Sequence, residues 1–375
     1  MHERYEAVVV GGGIVGSATA YHLARNGVET LLVDRRDEGR ATDAGAGILS
    51  AATSSRGEPW FGFAAEAVAY YDDLVAALET DQDGPRGYAK RDLLRVAVDD
   101  EEIEEFDETL TEVRRREAAA GPPAGGSIAE LSTEDARAAF PPLADVRRAF
   151  RYDDAARVDG RTFEGALRRA GETHGLETRD ASAERLVVEN DSIEAVVVDG
   201  DRIETGRVVV AGGAWSAAFG DQLGISIPIE PQRGQIVHLD VDADTTDWPI
   251  VSPFRGHYLV SWDDGRVAVG ATRETGTGFA PHTTVAGLRE VLDEATRVAP
   301  GLAEASVQEV RVGLRPVSAD GLPALGAVPG IEGAFVATGH GPSGLQLGPY
   351  SGKLVADAVR GDESDALEPF GVDRF

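Results

Sequence analysis

Residues 6–36 read EAVVVGGGIVGSATAYHLARNGVETLLVDRR, and the reading of the whole fold hangs on them. Residues 6–10 are a short apolar run ending in GGGIVG. Residues 14–25 then place Val15, Ala18 and Leu23 at helical spacing, and ETLLVD (29–34) is a second apolar run. Strand, glycine turn, helix and strand make a right-handed crossover between parallel strands. Gly11, Gly13 and Gly16 fit G-x-G-x-x-G. Gly11 permits the tight turn, Gly13 admits a pyrophosphate to the backbone at the helix N-terminus, and Gly16 lets the helix pack on the strand. A purely structural glycine turn gives the same letters, so the motif needs support. Asp34 supplies it: the residue stands 18 positions past Gly16, at the end of the second strand. There a carboxylate accepts hydrogen bonds from both hydroxyls of an adenosine ribose and repels a 2′-phosphate. The stretch predicts a dinucleotide site for NAD or FAD.

Residues beyond the second strand separate the two cofactors. The irregular, small-residue stretch RATDAGAGILSAATS (40–54) stands where a nicotinamide dehydrogenase continues with regular strand–helix units. Small residues let the backbone run against a flat cofactor, which favours FAD. A second G-x-G-x-x-G is absent, against enzymes that hold FAD and NAD(P)H together. Cysteine is absent altogether, which excludes disulfides, zinc–thiolate sites, iron–sulfur clusters, cysteine nucleophiles and a cysteinyl flavin. The seven histidines show no metal-ligand spacing, and no metal is expected.

The formal net charge is −29, from 65 acidic and 36 basic residues, and only Lys90 and Lys353 are lysines. Such a surface repels nucleic acid. It also reads as adaptation to high salt, where self-repulsion is screened. No apolar run reaches the roughly 18 residues of a membrane span. The N-terminus enters a strand with no charged-then-apolar leader, so a cytoplasmic enzyme is expected.

Along the chain, helices are expected at 58–81, 99–121, 160–175 and 285–300, with GPPAGG (121–126) as a loop. ERLVVEN, IEAVVVD and GRVVVAGGAWS give three strands, the last returning to the parallel sheet. Residues 225–275 read as a mostly antiparallel sheet. The tail (333–361) repeats the strand, glycine turn, helix pattern. The fold class is therefore mixed α/β and α+β: a split Rossmann-like nucleotide-binding domain with an inserted antiparallel-sheet substrate domain. The expected segments are 1–86, 146–224 and 311–375 for the first, and 87–145 and 225–310 for the second.

The motifs RVDG (157–160), VVVAGGAWS (208–216), PQRGQ (231–235), GHYLV (256–260), GRVAVGAT (265–272), GLRP with DGLPALG (313–326) and GHGPSG (339–344) occur in that order. With the N-terminal fingerprint they resemble, over nearly the whole chain, the FAD-dependent amine and D-amino-acid oxidase superfamily, in the branch of glycine oxidase, sarcosine oxidase and D-amino-acid dehydrogenases. The resemblance implies noncovalent FAD held by Gly11, Gly13, Ile14, Val15, Gly16, Asp34, Arg35, Gly45, Ala46, Gly47, Glu184 and Gly212. It puts Gly341, Gly344, Leu345 and Gln346 along the flavin pyrimidine. A helix starting near residue 344 would aim its positive end there. Ser343 is not in a G-x-S-x-G elbow, and His340 reads as structural or flavin-adjacent.

Arg315 in GLRP sits between an apolar run and a proline, and a planar guanidinium there suits a carboxylate. By resemblance Arg315 holds the substrate carboxylate and Tyr258 bonds the same group. An internal salt bridge and a core aromatic are the competing readings. Close glycine oxidases carry a second arginine after GH; that position here is Pro342, a departure that bears on glycine as substrate. The expected activity is oxidation of the C–N bond of a small amino acid, a D-amino acid or an N-methyl amino acid such as sarcosine. The electron acceptor would be O2 or a carrier. A flavin-bearing subunit of an amine or proline dehydrogenase complex is the alternative, and homo-oligomerisation stays open.

Overall fold

The computed structural model describes residues 3–120 and 128–375, so the GPPAGG loop lies outside the described residues. The opening crossover forms as strand Ala7–Val10, helix Ile14–Arg25 and strand Thr30–Asp34, with Ala7 opposite Thr30 and Val10 opposite Val33. It belongs to a six-stranded sheet in the order Ala324–Ala327, Ala334–Thr338, Val208–Val210, Ala7–Val10, Thr30–Asp34, Glu177–Asp180. All neighbours are parallel except the first pair.

Strand side chains alternate between faces. Val8 and Val10 pack with Leu186, Ile193 and Val196 of a three-stranded meander, while Ala7 and Val9 join Leu23, Phe63, Leu347 and Val355 of a helical layer. Both faces are buried, which is why these strands read as continuous apolar runs. The two ends of the chain meet in the helical layer, where helix Gly344–Val359 packs on helix Ile14–Arg25. Gly352 makes the close approach possible, because a Cβ there would stand 2.7 Å from the Ala18 Cβ.

The substrate-side sheet has eight strands, ordered Ser306–Ser318, Ile229–Asp240, Arg266–Gly270, Tyr258–Ser261, Ile250–Ser252, Leu93–Ala97, Arg148–Tyr152, Ile128–Leu131. Every pairing is antiparallel except Ile250–Ser252 with Leu93–Ala97. Two expected segment boundaries cut this sheet. Strand Arg148–Tyr152 pairs with Leu93–Ala97 although it lies past residue 145, and strand Ser306–Ser318 runs unbroken through residue 310. We propose that the substrate-side segment extends to about residue 152 and that the long strand serves both units. Cross-strand pairing fixes these limits, and local periodicity does not report pairing.

The expected helices are Trp60–Asp81, Ile103–Ala120, Gly160–Thr173 and Val285–Val298. Strands Glu177–Asp180 and Asp201–Glu204 escaped the sequence reading; both are short, polar edge strands without an apolar period. Among the described residues no helix is long and apolar enough to cross a membrane.

Candidate active site

A cavity of about 630 Å³ runs from the C-terminal ends of the parallel strands to the eight-stranded sheet. All the residues expected at the cofactor or substrate line it except Gly16. At one end stand Gly11, Gly13, Ile14, Val15, Asp34, Arg35 and Glu184. Gly45, Ala46, Gly47 and Gly212 line it further along. Gly341, Gly344, Leu345, Gln346, Tyr258 and Arg315 complete the lining.

Gly16 lies behind the turn. A Cβ on it would stand 1.8 Å from the Gly11 carbonyl oxygen, so the helix can start this close to the strand only with glycine there. Gly11 has φ 100°, a conformation L side chains avoid. The stretch after the second strand does more than present a flat surface. Thr42 Oγ1 accepts the Ile14 N–H at 2.9 Å, and Arg40 Nη2 donates to the Gly12 carbonyl at 2.7 Å. Arg40 and Arg168 stand 3.3 and 3.1 Å from the Asp34 carboxylate, and Glu164 pairs with both arginines. A carboxylate has about four lone-pair directions, so Asp34 retains capacity for ribose hydroxyls. Sequence reasoning missed Arg40, Thr42 and Arg168. Nothing in the sequence marks them: Arg40 and Thr42 lie in the irregular stretch after the second strand, and Arg168 lies on helix Gly160–Thr173.

Two of the sequence motifs are held by internal ion pairs and hydrogen bonds. Arg157 of RVDG is buried and pairs with Asp263 at 2.7 Å, and Asp159 accepts the Thr162 N–H at its helix start. In PQRGQ, Arg233 and Gln235 both bind Glu274, at 2.6 Å each.

At the tail-helix end, Gln346 Oε1 accepts the Ser50 N–H at 3.2 Å, while its buried Nε2 has no partner. His340 is buried, with Nε2 3.0 Å from Ser351 Oγ. Burial pushes His340 down to about 4, His238 to about 4 and His22 to about 3. These rings stay neutral in the fold while the unfolded chain takes up protons below about pH 6.5. Their stabilising contribution is therefore complete above that pH and lost as pH falls toward 4, by up to about 1.4 kcal/mol per pH unit for each ring. Thermal melts between pH 7 and 5 should show a falling midpoint, and His340→Gln should flatten the slope. An unchanged slope would show that His340 contributes nothing to it.

Arg315 Nη1 donates to the Thr272 carbonyl at 2.9 Å and lies 3.5 Å from Gln232 Oε1. Among the described residues it joins no ion pair. Glu274, the carboxylate that acts on it, is held by Arg233 at 2.6 Å. Burial pushes the Tyr258 hydroxyl up from its ordinary value, against the pull of Arg315 and Arg273, so it is protonated at neutral pH. Arg273, which sequence reasoning also missed, lines the same end. It stands directly after the GRVAVGAT motif.

The donor set fits FAD: a glycine turn at a helix start, an acid at the second strand end, and an orphaned Gln346 amide in the cavity. No three His, Asp or Glu side chains among the described residues are placed to hold a metal. Such a cavity, continuing from a nucleotide turn onto a second sheet, defines a dinucleotide-dependent oxidoreductase. The chain belongs to the FAD dependent oxidoreductase family (DAO), whose pattern matches residues 6–358, and it is an amine- or amino-acid-oxidising flavoenzyme. It is 37% identical to an uncharacterised oxidoreductase, YurR, of Bacillus subtilis, over 97% of each chain. It is 30% identical to the glycine oxidase of Pseudomonas aeruginosa, over 97% of this chain and 96% of that one. Its fold superposes on iminodiacetate oxidase from Chelativorans sp. BNC1 with a TM-score of 0.93 at 34% identity, covering 98% of each chain.

FAD should be bound noncovalently. The chain has no cysteine, residues 40–54 hold no histidine, and the His340 Nε2 is engaged by Ser351. Acid precipitation should leave the yellow colour in the supernatant; colour in the pellet would overturn this.

Proposed function

We propose that the protein oxidises the C–N bond of a small α-amino acid, primary or N-substituted, and that Arg315 and Tyr258 hold its carboxylate. The observation that carries this reading is a half-buried arginine in the cavity with neutral hydrogen-bond partners and, among the described residues, no carboxylate of its own. Glycine oxidase and iminodiacetate oxidase, by their names, act on amino acids with a free carboxylate, which supports it.

Bound FAD supplies the acceptor for two electrons and the α-hydrogen, as hydride at N5. The protein's part is orientation. A bidentate bond from Arg315 and one from the Tyr258 hydroxyl fix the carboxylate, and with it the direction of the Cα–H bond. The amine nitrogen must be neutral, since its lone pair forms the C=N bond as hydride leaves. The imine then adds water, giving a 2-oxo acid and ammonia, or a 2-oxo acid and an amine where the nitrogen is substituted. The apolar wall of the cavity, including Ile236 and Leu345, limits water around this step.

Anaerobic bleaching of the flavin by glycine, sarcosine, proline and a panel of D-amino acids tests the reading. Bleaching by amino acids and not by the matching decarboxylated amines is expected. The reverse preference would sink it.

A further inference from the structure

We propose that the substrate end of the cavity is built for two carboxylates, with Arg273 as the second anchor, so that the preferred substrate class is a dicarboxylic amine. This rests on the amino-acid reading of the site and narrows it.

Four arginines line the cavity. Arg35 is paired with Asp37 and Arg40 with Asp34, both at the nucleotide end. Arg273 and Arg315, at the other end, join no ion pair among the described residues. Acids are not scarce: the chain has 65 of them against 36 basic residues. The two unpaired cations bond only neutral groups. Arg315 Nη1 donates to the Thr272 carbonyl at 2.9 Å, and Arg273 Nη1 donates to the Gly256 carbonyl at 2.9 Å.

Their heads converge on Tyr258. The Thr272 carbonyl belongs to the peptide that leads into Arg273. Gly256, under the Arg273 guanidinium, lies two residues before Tyr258, and Tyr258 sits opposite Gly270 in the sheet. Each arginine also has a seat cleared by a glycine. A Cβ on Gly256 would stand 2.6 Å from Arg273 Nη1, and one on Gly234 would stand 2.5 Å from Arg315 Nη2.

The electrostatics point the same way. Burial lowers the Arg315 pKa, and the neighbouring Arg273 lowers it further, against Tyr258 and Glu274, which raise it. Arg273 is solvent-exposed at the mouth and uses one donor on Gly256, so most of its five N–H donors stay available. The second carboxylate could sit on a nitrogen substituent, as in iminodiacetate, or on a side chain, as in aspartate. The shared chemistry is two carboxylates flanking one amine.

The test uses the FAD-loaded enzyme under anaerobic conditions, with three pairs: iminodiacetate and sarcosine, D-aspartate and D-alanine, L-aspartate and L-alanine. At least one diacid should exceed its monoacid partner by roughly tenfold or more in kcat/KM, chiefly through KM; which pair does so locates the second carboxylate. Arg273→Gln should bring that ratio close to one, a loss of roughly tenfold or more, in the range of a lost charge-assisted bond. Arg273→Lys should restore part of it. A readout without turnover is the perturbation of flavin absorbance by glutarate and by butyrate: glutarate should bind tighter in wild type and lose the advantage in Arg273→Gln. If monoacids bleach the flavin and no diacid is preferred, the dicarboxylate class falls while the amino-acid reading stands. If the ratio is unchanged in Arg273→Gln, the role of Arg273 falls. If no amino acid of either kind bleaches the flavin, both readings fall.

Discussion

Arg315→Leu should keep its FAD and lose at least roughly 30-fold in kcat/KM toward amino acids. A desolvated charge pair is worth about 2 kcal/mol upward when one partner is truncated, and about 1.4 kcal/mol is tenfold. The loss should appear mainly in KM, and it should spare any decarboxylated amine that the enzyme accepts. Arg315→Lys should recover part, since an ammonium cannot make two parallel bonds. Tyr258→Phe should lose about 1 kcal/mol, the worth of one neutral hydrogen bond. The alternative, a structural arginine in an internal salt bridge, predicts lower flavin occupancy and melting temperature with carboxylate preference intact. The geometry gives that alternative little to work with. Glu274 is already satisfied by Arg233, Gln235 and Thr272, so removing Arg315 would not strand it. An unchanged acid-to-amine selectivity in fully flavinated Arg315→Leu would end the carboxylate role.

Gly16→Ala should weaken FAD binding and lower the melting temperature of the apoprotein. The new methyl would stand 1.8 Å from the Gly11 carbonyl oxygen, a contact with backbone that no rotamer relieves. The helix must move off the turn, and strain of this kind costs about 1–3 kcal/mol or more. If that strain falls on the cradle, FAD affinity drops roughly 5- to 150-fold. Gly206→Ala is the matched control: it is exposed, a Cβ there meets nothing within 4 Å, and its effect should stay within about 0.5 kcal/mol. Flavin fluorescence titration and melting curves read both variants. Equal behaviour of the two would rule out close packing as the reason for Gly16.

The nucleotide end was legible because its chemistry is local. A turn, a helix start and an acid at a strand end lie within residues 6–36, and backbone sterics tie each glycine to one place. The apolar runs were legible too, since a strand buried on both faces needs them. The tail helix was legible by the same pattern; Gln346 came from resemblance, and its unpartnered amide in the cavity no periodicity foretells.

The substrate end was legible in part. Arg315 and Tyr258 came from resemblance, each a polar residue in an apolar setting. Arg273, Arg40 and Arg168 did not, because in a chain rich in arginine one more arginine carries no signal. What distinguishes them is who stands beside them: acids around Arg40 and Arg168 and, among the described residues, none paired with Arg273. The sheet that strands Arg148–Tyr152 and Ser306–Ser318 join was likewise decided by pairing partners far away in sequence.

The sequence by itself determined the crossover, the glycine turn, the cofactor class and the split of the nucleotide-binding sheet between the two chain ends, because covalent neighbours and apolar period dictate them. Only the tertiary structure decided which arginines pair with acids and which do not, because an ion pair depends on distance in space: Arg168 meets Asp34 although the chain separates them by 134 positions.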